Sequence, residues 1–165
     1  MPGLQAEDLF ACLDTYGVRY VLIGGLAAVL HGSPLPTLDA DICPSAEMEN
    51  LERLAAALAS LDARIRSSSD PDGVPFPCQA SFIQQVEMLN LTTRLGDIDL
   101  VLKPAGIDGY AQLEPNAISM IIGGVAVRVA ALEDVIRSKE AANRPKDLRS
   151  LPVLRQLLDE IRKLG

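Results

Sequence analysis

The sequence contains no tryptophan and one histidine, and aromatic residues make up only 4% of its 165 positions. Hydrophobic residues still reach 48%, so the core must be built of Leu, Ile, Val and Ala. That length supports one domain with a proper interior, or such a domain carrying a small helical appendage. No apolar run reaches the ~18 residues of a membrane span, which argues against a membrane protein. The first residues lack a basic region followed by an apolar stretch, so no secretory signal is expected. Cys12, Cys43 and Cys78 are odd in number and far apart. They fit reduced thiols in a cytoplasmic protein better than a disulfide framework or a zinc site.

Positive charge is short as well, with 15 Lys and Arg against 22 Asp and Glu, a net charge of −7. From Arg128 onward nine basic residues face six acidic ones, a local +3 that leaves −10 on the first 127 residues. An acidic body makes a poor broad nucleic-acid surface, since affinity for a phosphate backbone scales with the charges neutralised. A small basic lip at the C-terminal end stays compatible with that balance. Acidity also serves solubility.

Against these absences stands one dense stretch, Gly24 to Asp41 (GGLAAVLHGSPLPTLDAD), entered from the apolar run Tyr20-Val21-Leu22-Ile23. A Gly pair lets the backbone turn sharply and approach a ligand, because no Cβ intervenes. A helix starting there offers free N–H groups and the positive end of its dipole, which suit phosphate. Asp39 and Asp41 are two apart in an expected strand, so both carboxylates share one face, with Cα atoms roughly 7 Å apart. Two carboxylates on one strand face repel unless a cation or water relieves them.

The rest of the chain reads as a frame for that stretch. Ala6, Leu9, Phe10 and Leu13 recur at helical spacing and Gly17 stops the helix. Arg19 to Ile23 is a buried strand, Leu26 to Leu30 a helix, and Gly32, Pro34 and Pro36 force a loop. Leu38 to Cys43 is the second strand, with Ala40 and Ile42 opposite the two aspartates. Ser45 is the expected N-cap of a helix with Leu51, Leu54, Leu58 and Leu61 as its stripe. Ser67 to Pro77 is a surface loop by composition. Met88 to Thr93 and Ile98 to Lys103 form antiparallel strands around a turn at Leu95-Gly96. Asp97 and Asp99 again share a strand face. Ile118 to Ile122 and Val125 to Val129 make a hairpin turned by Gly123-Gly124.

Leu132, Val135 and Ile136 set a helical stripe that continues into Lys139, a cation on the buried side. Asn143, Arg144 and Pro145 break that helix, and a last one carries Leu151, Leu154, Leu158 and Ile161, with Pro152 tolerable only early or at a kink. Met88 and Met120 read as core. His31 sits at an expected helix end, where a structural or capping role fits better than catalysis.

Transfer of a nucleotidyl group requires in-line attack on the α-phosphorus and neutralisation of the triphosphate. Two Mg²⁺ ions roughly 4 Å apart do both. Mg²⁺ takes oxygen ligands from a few carboxylates and from the substrate's own phosphates. Asp39 and Asp41 from one strand and Asp99 from another meet that need, with Asp97 the competing third carboxylate.

A strand ending in Ile23-Gly24-Gly25, a helix, Asp39-Ala40-Asp41-Ile42 after a gap of thirteen residues, and a later Ile98-Asp99-Leu100 resemble the DNA polymerase β-type nucleotidyltransferase superfamily. The tail, Leu132-Glu133-Asp134-Val135-Ile136 with Lys139 and Arg144-Pro145-Lys146-Asp147, is similar to small bacterial nucleotidyltransferase-like proteins. Some of those act in toxin–antitoxin or abortive-infection systems. The resemblance spans about residues 18 to 150. It implies an α/β (α+β) nucleotidyltransferase fold, with a small mixed sheet flanked by helices. A core over residues 1–130 would carry a helical segment over 131–165, packed on it as a single unit.

The same resemblance implies that Gly24, Gly25 and Thr37 hold an NTP, that Lys139, Arg144 and Lys146 are cationic partners of its phosphates, and that Asp39, Asp41 and Asp99 are catalytic and ligate Mg²⁺. Many relatives have Arg or another polar residue in the loop where this chain has Leu35-Pro36, and only Thr37 keeps that polar character. The implied acceptor is a hydroxyl on an RNA end, a protein or an antibiotic, with a cognate toxin or antitoxin as possible protein partner. A catalytically weak binding module of the same fold is the alternative.

Overall fold

Tyr20–Ile23 (β1) is buried along its whole length, as suits a short apolar strand covered on both sheet faces. In the computed structural model, which describes residues 3–165, β1 lies between two partners. Asp39–Pro44 (β2) pairs with it antiparallel, and Val125–Val129 (β7) pairs with it parallel. Gly96–Val101 (β5) runs parallel to β2, and Met88–Thr93 (β4) antiparallel to β5. Arg64–Ile65 (β3) adds a two-residue edge beside β4, and Ile118–Ile122 (β6) forms the opposite edge beside β7. The result is one seven-stranded mixed sheet in the order β3-β4-β5-β2-β1-β7-β6.

Helices cover this sheet by their apolar stripes. Ala6–Thr15 (α1) buries Leu9, Phe10 and Leu13 and ends before Gly17, whose φ of +69° suits a residue without Cβ. Gly24–Leu30 (α2) follows β1 with no intervening residue. Met48–Ser60 (α3) buries Leu51, Leu54 and Leu58. Two single turns follow, Ala80–Ile83 (α4) and Tyr110–Leu113 (α5). Leu132–Ala142 (α6) packs on α2 and on the long last helix, Pro145–Leu164 (α7). Among the described residues no helix is long and apolar enough to cross a membrane. The three cysteines are unpaired.

Three expectations need correction. Ser45 does not cap α3: the helix starts three residues later, at Met48, with Glu47 in the cap position and no side-chain cap. Ser45 is instead buried in the turn after β2, where its carbonyl accepts from Asn50 Nδ2 at 2.8 Å. Met88 is 52% exposed rather than core, because β4 leaves its first residue at the rim of the sheet. The turn between β4 and β5 falls at Arg94-Leu95, with Gly96 already paired to Thr93. Pro152 lies eight residues into α7, past its early turn and inside the helix. Met120 does pack against the core, and Gly123-Gly124, both with positive φ, turn the β6–β7 hairpin.

The α6–α7 junction is set by one buried carboxylate. Asn143 takes a left-handed conformation (φ 52°) and Pro145 opens α7, so the chain reverses within three residues. Asp147, with its side chain fully buried, accepts from the Arg144 backbone N–H at 3.1 Å and from Arg144 Nε at 2.7 Å, while Lys139 Nζ reaches it from α6 at 3.6 Å. Burial alone would raise the Asp147 pKa. The hydrogen bonds from Arg144 and the charge of Lys139 outweigh it and hold that carboxyl below its ordinary range. A depressed carboxylate pKa stabilises the fold above the unfolded value, and the gain is lost as pH falls through the folded value. Asp147→Asn is therefore expected to cost about 2–3 kcal/mol near neutral pH. In urea unfolding series the difference from the parent should shrink steadily as the solution is made acid.

Candidate active site

Parallel pairing of β2 with β5 places Asp39 opposite Asp97 and Asp41 opposite Asp99. Alternation does the rest. Ala40, Ile42, Ile98 and Leu100 are fully buried on one face, and the four aspartates, all partly exposed, point to the other. Asp39, Asp41 and Asp99 each offer a carboxylate oxygen, and the three oxygens lie within 4.8 Å of one another. Asp97 is not in that group. Its Oδ2 instead meets Arg66 Nη1 at 3.2 Å.

The glycine turn adjoins the same carboxylates. Gly24 has a φ of +70°, and a Cβ built on it would stand 2.1 Å from Asp41 Oδ2. The Gly24 backbone thus fills the space beside the Asp41 carboxylate, which no side chain could share. A Cβ on Gly25 would stand 2.9 Å from Thr37 Oγ1. Both glycines are partly exposed, so the bend is open to solvent. Thr37 Oγ1 itself donates to the Asp39 carbonyl at 3.3 Å, tying the loop before β2 to the strand.

Crowding perturbs every carboxylate of the triad. Burial, then a hydrogen bond and repulsion from Asp99, push Asp39 up to about 6. Burial, then a hydrogen bond with Asp41, push Asp99 up to about 6. Burial and then the Asp39 charge raise Asp41 too, opposed by a hydrogen bond with Asp99 and by the positive charges of Lys146 and Lys139. Like charges held this close disfavour full ionisation of the group, which a cation beside it relieves.

The tail residues divide by position. Lys139 and Lys146 both act on Asp41 through space. Lys146 is exposed and makes no ion pair among the described residues, whereas Lys139 also reaches Asp147. Arg144 is committed to Asp147 through its Nε and its backbone N–H. His31, at the end of α2, bonds the Ala130 carbonyl through Nε2 at 2.8 Å, a structural tie between α2 and the end of β7.

One residue escaped the sequence reading: Arg66. Its backbone N–H donates to the Asn90 carbonyl at 2.9 Å, continuing the β3–β4 pairing. Its guanidinium then lies over the carboxylates, with Nη2 at 2.5 Å from Asp99 Oδ1 and 3.9 Å from Asp39 Oδ2. The available signal was the alternation Ala63-Arg64-Ile65-Arg66 just before the Ser-rich loop, a two-residue period too short to read as a strand on its own.

No protein-family model and no curated protein sequence matches the chain. Solved structures do. A lincosamide antibiotic adenylyltransferase, LnuA, seen with lincomycin bound, superposes with a TM-score of 0.60 at 14% identity over 94% of this chain and 99% of its own. A Thermotoga maritima protein provisionally described as a nucleotidyltransferase superposes with a TM-score of 0.51 at 16% identity over 93% of this chain and 89% of its own. At such identities the likeness concerns architecture. Taken with the mixed sheet and its order, it shows that the chain has the nucleotidyltransferase fold.

Proposed function

We propose that this protein is a divalent-metal-dependent nucleotidyltransferase, moving a nucleoside monophosphate from an NTP to a hydroxyl acceptor with release of pyrophosphate. The observation that carries this reading is the convergence of Asp39, Asp41 and Asp99 within 4.8 Å beside the open Gly24–Gly25 bend. An all-oxygen set of acidic side chains, raised in pKa by burial and then by one another, fits a hard cation such as Mg²⁺, which Asp39, Asp41 and Asp99 would hold. Bound there, Mg²⁺ would neutralise the triphosphate and stabilise the attacking and leaving oxygens.

The chain's own groups take the remaining tasks. Gly24 and Gly25 let the triphosphate approach the backbone without a Cβ in the way, and Thr37 borders that space. Lys139 and Lys146 add positive charge on the Asp41 side, while Arg144 acts on the site indirectly by fixing Asp147 at the start of α7. The acceptor oxygen attacks the α-phosphorus and the bond to the β-phosphate oxygen breaks. Asp99 would accept the hydroxyl proton, a task suited to a carboxylate with a raised pKa.

The acceptor is proposed to be a hydroxyl of an RNA end, a protein or a small molecule. Likeness over nearly the full length to an enzyme that modifies an antibiotic makes a hydroxylated small molecule a reasonable first arm. A toxin role, with a cognate antitoxin, is the arm in which RNA or protein is labelled. The second reading is a catalytically weak binding module of the same fold, or an antitoxin-type partner in a toxin–antitoxin pair. Arg66 lying on Asp99 and the apolar Leu35-Pro36 before Asp39 favour it.

Incubation with Mg²⁺ and each α-labelled NTP, alone, with total RNA, and with lincosamides, distinguishes the two. Transfer that disappears in Asp39→Ala and Asp41→Ala supports the enzyme. No transfer, together with a melting temperature that no Mg-NTP changes, supports the module.

A further inference from the structure

Arg66 stands where a metal ion would have to stand. Its Nη2 lies within 4 Å of both Asp39 and Asp99, and a divalent ion shared by those carboxylates would need the same gap, at ligand distances of about 2.1 Å. The two cations cannot both occupy it. Arg66 is also held from behind: Nη1 contacts Asp97 Oδ2 at 3.2 Å and donates to the Leu91 carbonyl at 3.2 Å. Its backbone is fixed by the bond to the Asn90 carbonyl, at the foot of a loop whose stem is the Ile65–Val74 bridge.

This arrangement gives Asp97 a task distinct from that of its neighbours. Asp97 and the Leu91 carbonyl hold one edge of the guanidinium, so the other edge can leave Asp99 without the side chain departing for solvent. A guanidinium edge freed in this way presents N–H donors in a planar fork, which matches phosphate oxygens.

Resting on the nucleotidyltransferase reading above, we propose that Arg66 is a resident counter-ion that closes the Asp39–Asp41–Asp99 triad to free divalent metal and yields it when a triphosphate arrives to take the guanidinium. Metal alone must displace a positive charge already paired with Asp99. Metal delivered with a triphosphate does not, because the phosphates accept the displaced donors. Arg66 is thus a positioning residue that couples metal binding to nucleotide binding, and Asp97 is the anchor on which it pivots.

The test measures Mn²⁺ binding directly, by titration calorimetry and by the electron paramagnetic resonance signal of free Mn²⁺. Parent, Arg66→Gln, Arg66→Lys and Asp39→Asn proteins are compared with and without a non-hydrolysable ATP analogue. Without nucleotide, Arg66→Gln should bind Mn²⁺ about tenfold more tightly than the parent, since a competing charge is gone. The analogue should tighten Mn²⁺ binding in the parent and do so much less in Arg66→Gln. Lysine keeps the charge but cannot span Asp97 and Asp99 as a fork, so Arg66→Lys should fall between the two, and it serves if the Gln variant fails to fold. Equal or weaker Mn²⁺ binding in the variants, with binding still lost in Asp39→Asn, overturns the role of Arg66 and leaves the metal site standing. Mn²⁺ binding that is absent from the parent even with the analogue, or indifferent to Asp39→Asn, overturns both.

Discussion

Asp41→Asn is expected to reduce nucleotidyl transfer by about 10³-fold or more, the scale at which removal of a group that stabilises transition-state charge is felt. The metal-free protein should meanwhile be as stable as the parent, or more so. Asp41 lies two residues from Asp39 on β2 and opposite Asp99 on β5, and Asp39 and Asp99 are each raised to about 6 in the fold against about 3.9 in an unfolded chain. The native state therefore holds more protons than the unfolded state across that interval. Stability of the metal-free parent should fall as pH rises from about 4 through 6, the sign opposite to that of the Asp147 contribution. Replacing one carboxylate by an amide of the same shape relieves the repulsion, so the fall should flatten. Activity and stability moving in opposite directions is the pattern of a site strained for function. A variant that loses activity and unfolds together would assign Asp41 to the scaffold instead. Thermal melts in chelator at several pH values, run beside transfer assays, separate the outcomes.

Gly24→Ala should damage fold and site together. Two costs coincide there. A left-handed φ of +70° costs an L-residue about 1–2 kcal/mol. The added Cβ would also fall 2.1 Å from Asp41 Oδ2 and 2.9 Å from its Cγ, so the carboxylate must leave the triad. We expect a stability loss of about 2–3 kcal/mol and transfer reduced by about 10²-fold or more, as for a misplaced catalytic group. Gly124→Ala is the matched control: its φ is +82°, yet nothing lies within 4 Å of the added carbon. That variant should show the backbone cost alone, with transfer unchanged. Gly25→Ala should be milder, because its new neighbour is the Thr37 side chain rather than a carboxylate of the triad. If Gly24→Ala and Gly124→Ala behaved alike, close approach at the bend would not be what makes Gly24 necessary.

Much of this architecture was legible because periodicity reports burial. The unbroken apolar run of β1 describes a strand buried on both faces, the alternations through Asp39-Ala40-Asp41-Ile42 and Asp97-Ile98-Asp99-Leu100 each describe a strand with one buried side, and the sheet obeys them. What periodicity cannot report is which strands become neighbours. Asp97 and Asp99 lie on the same face and read alike in sequence. Parallel register puts Asp99 opposite Asp41 and Asp97 opposite Asp39, and it is Asp99 whose oxygen comes within 4.8 Å of oxygens of both β2 carboxylates. Arg66 itself was illegible because β3 is two residues long, below any pattern that alternation can establish. Ser45 and Met88 failed for local reasons. A serine before a helical stripe is a cap only if the helix starts beside it, and a methionine in a strand is core only if its end of the strand is covered. Arg144 and Lys146 show the same limit at the tail: adjacent in sequence pattern, one is bound to Asp147 and the other remains an exposed charge acting on Asp41.

Anomalous diffraction from crystals grown with Mn²⁺ and a non-hydrolysable ATP analogue addresses the site most directly. Manganese peaks bounded by the carboxylates of Asp39, Asp41 and Asp99, with the triphosphate against Gly24 and Gly25 and the Arg66 guanidinium off Asp99, are the expected result. Manganese found away from those three carboxylates, or absent while Arg66 still rests on Asp99 and the analogue binds elsewhere, would contradict it.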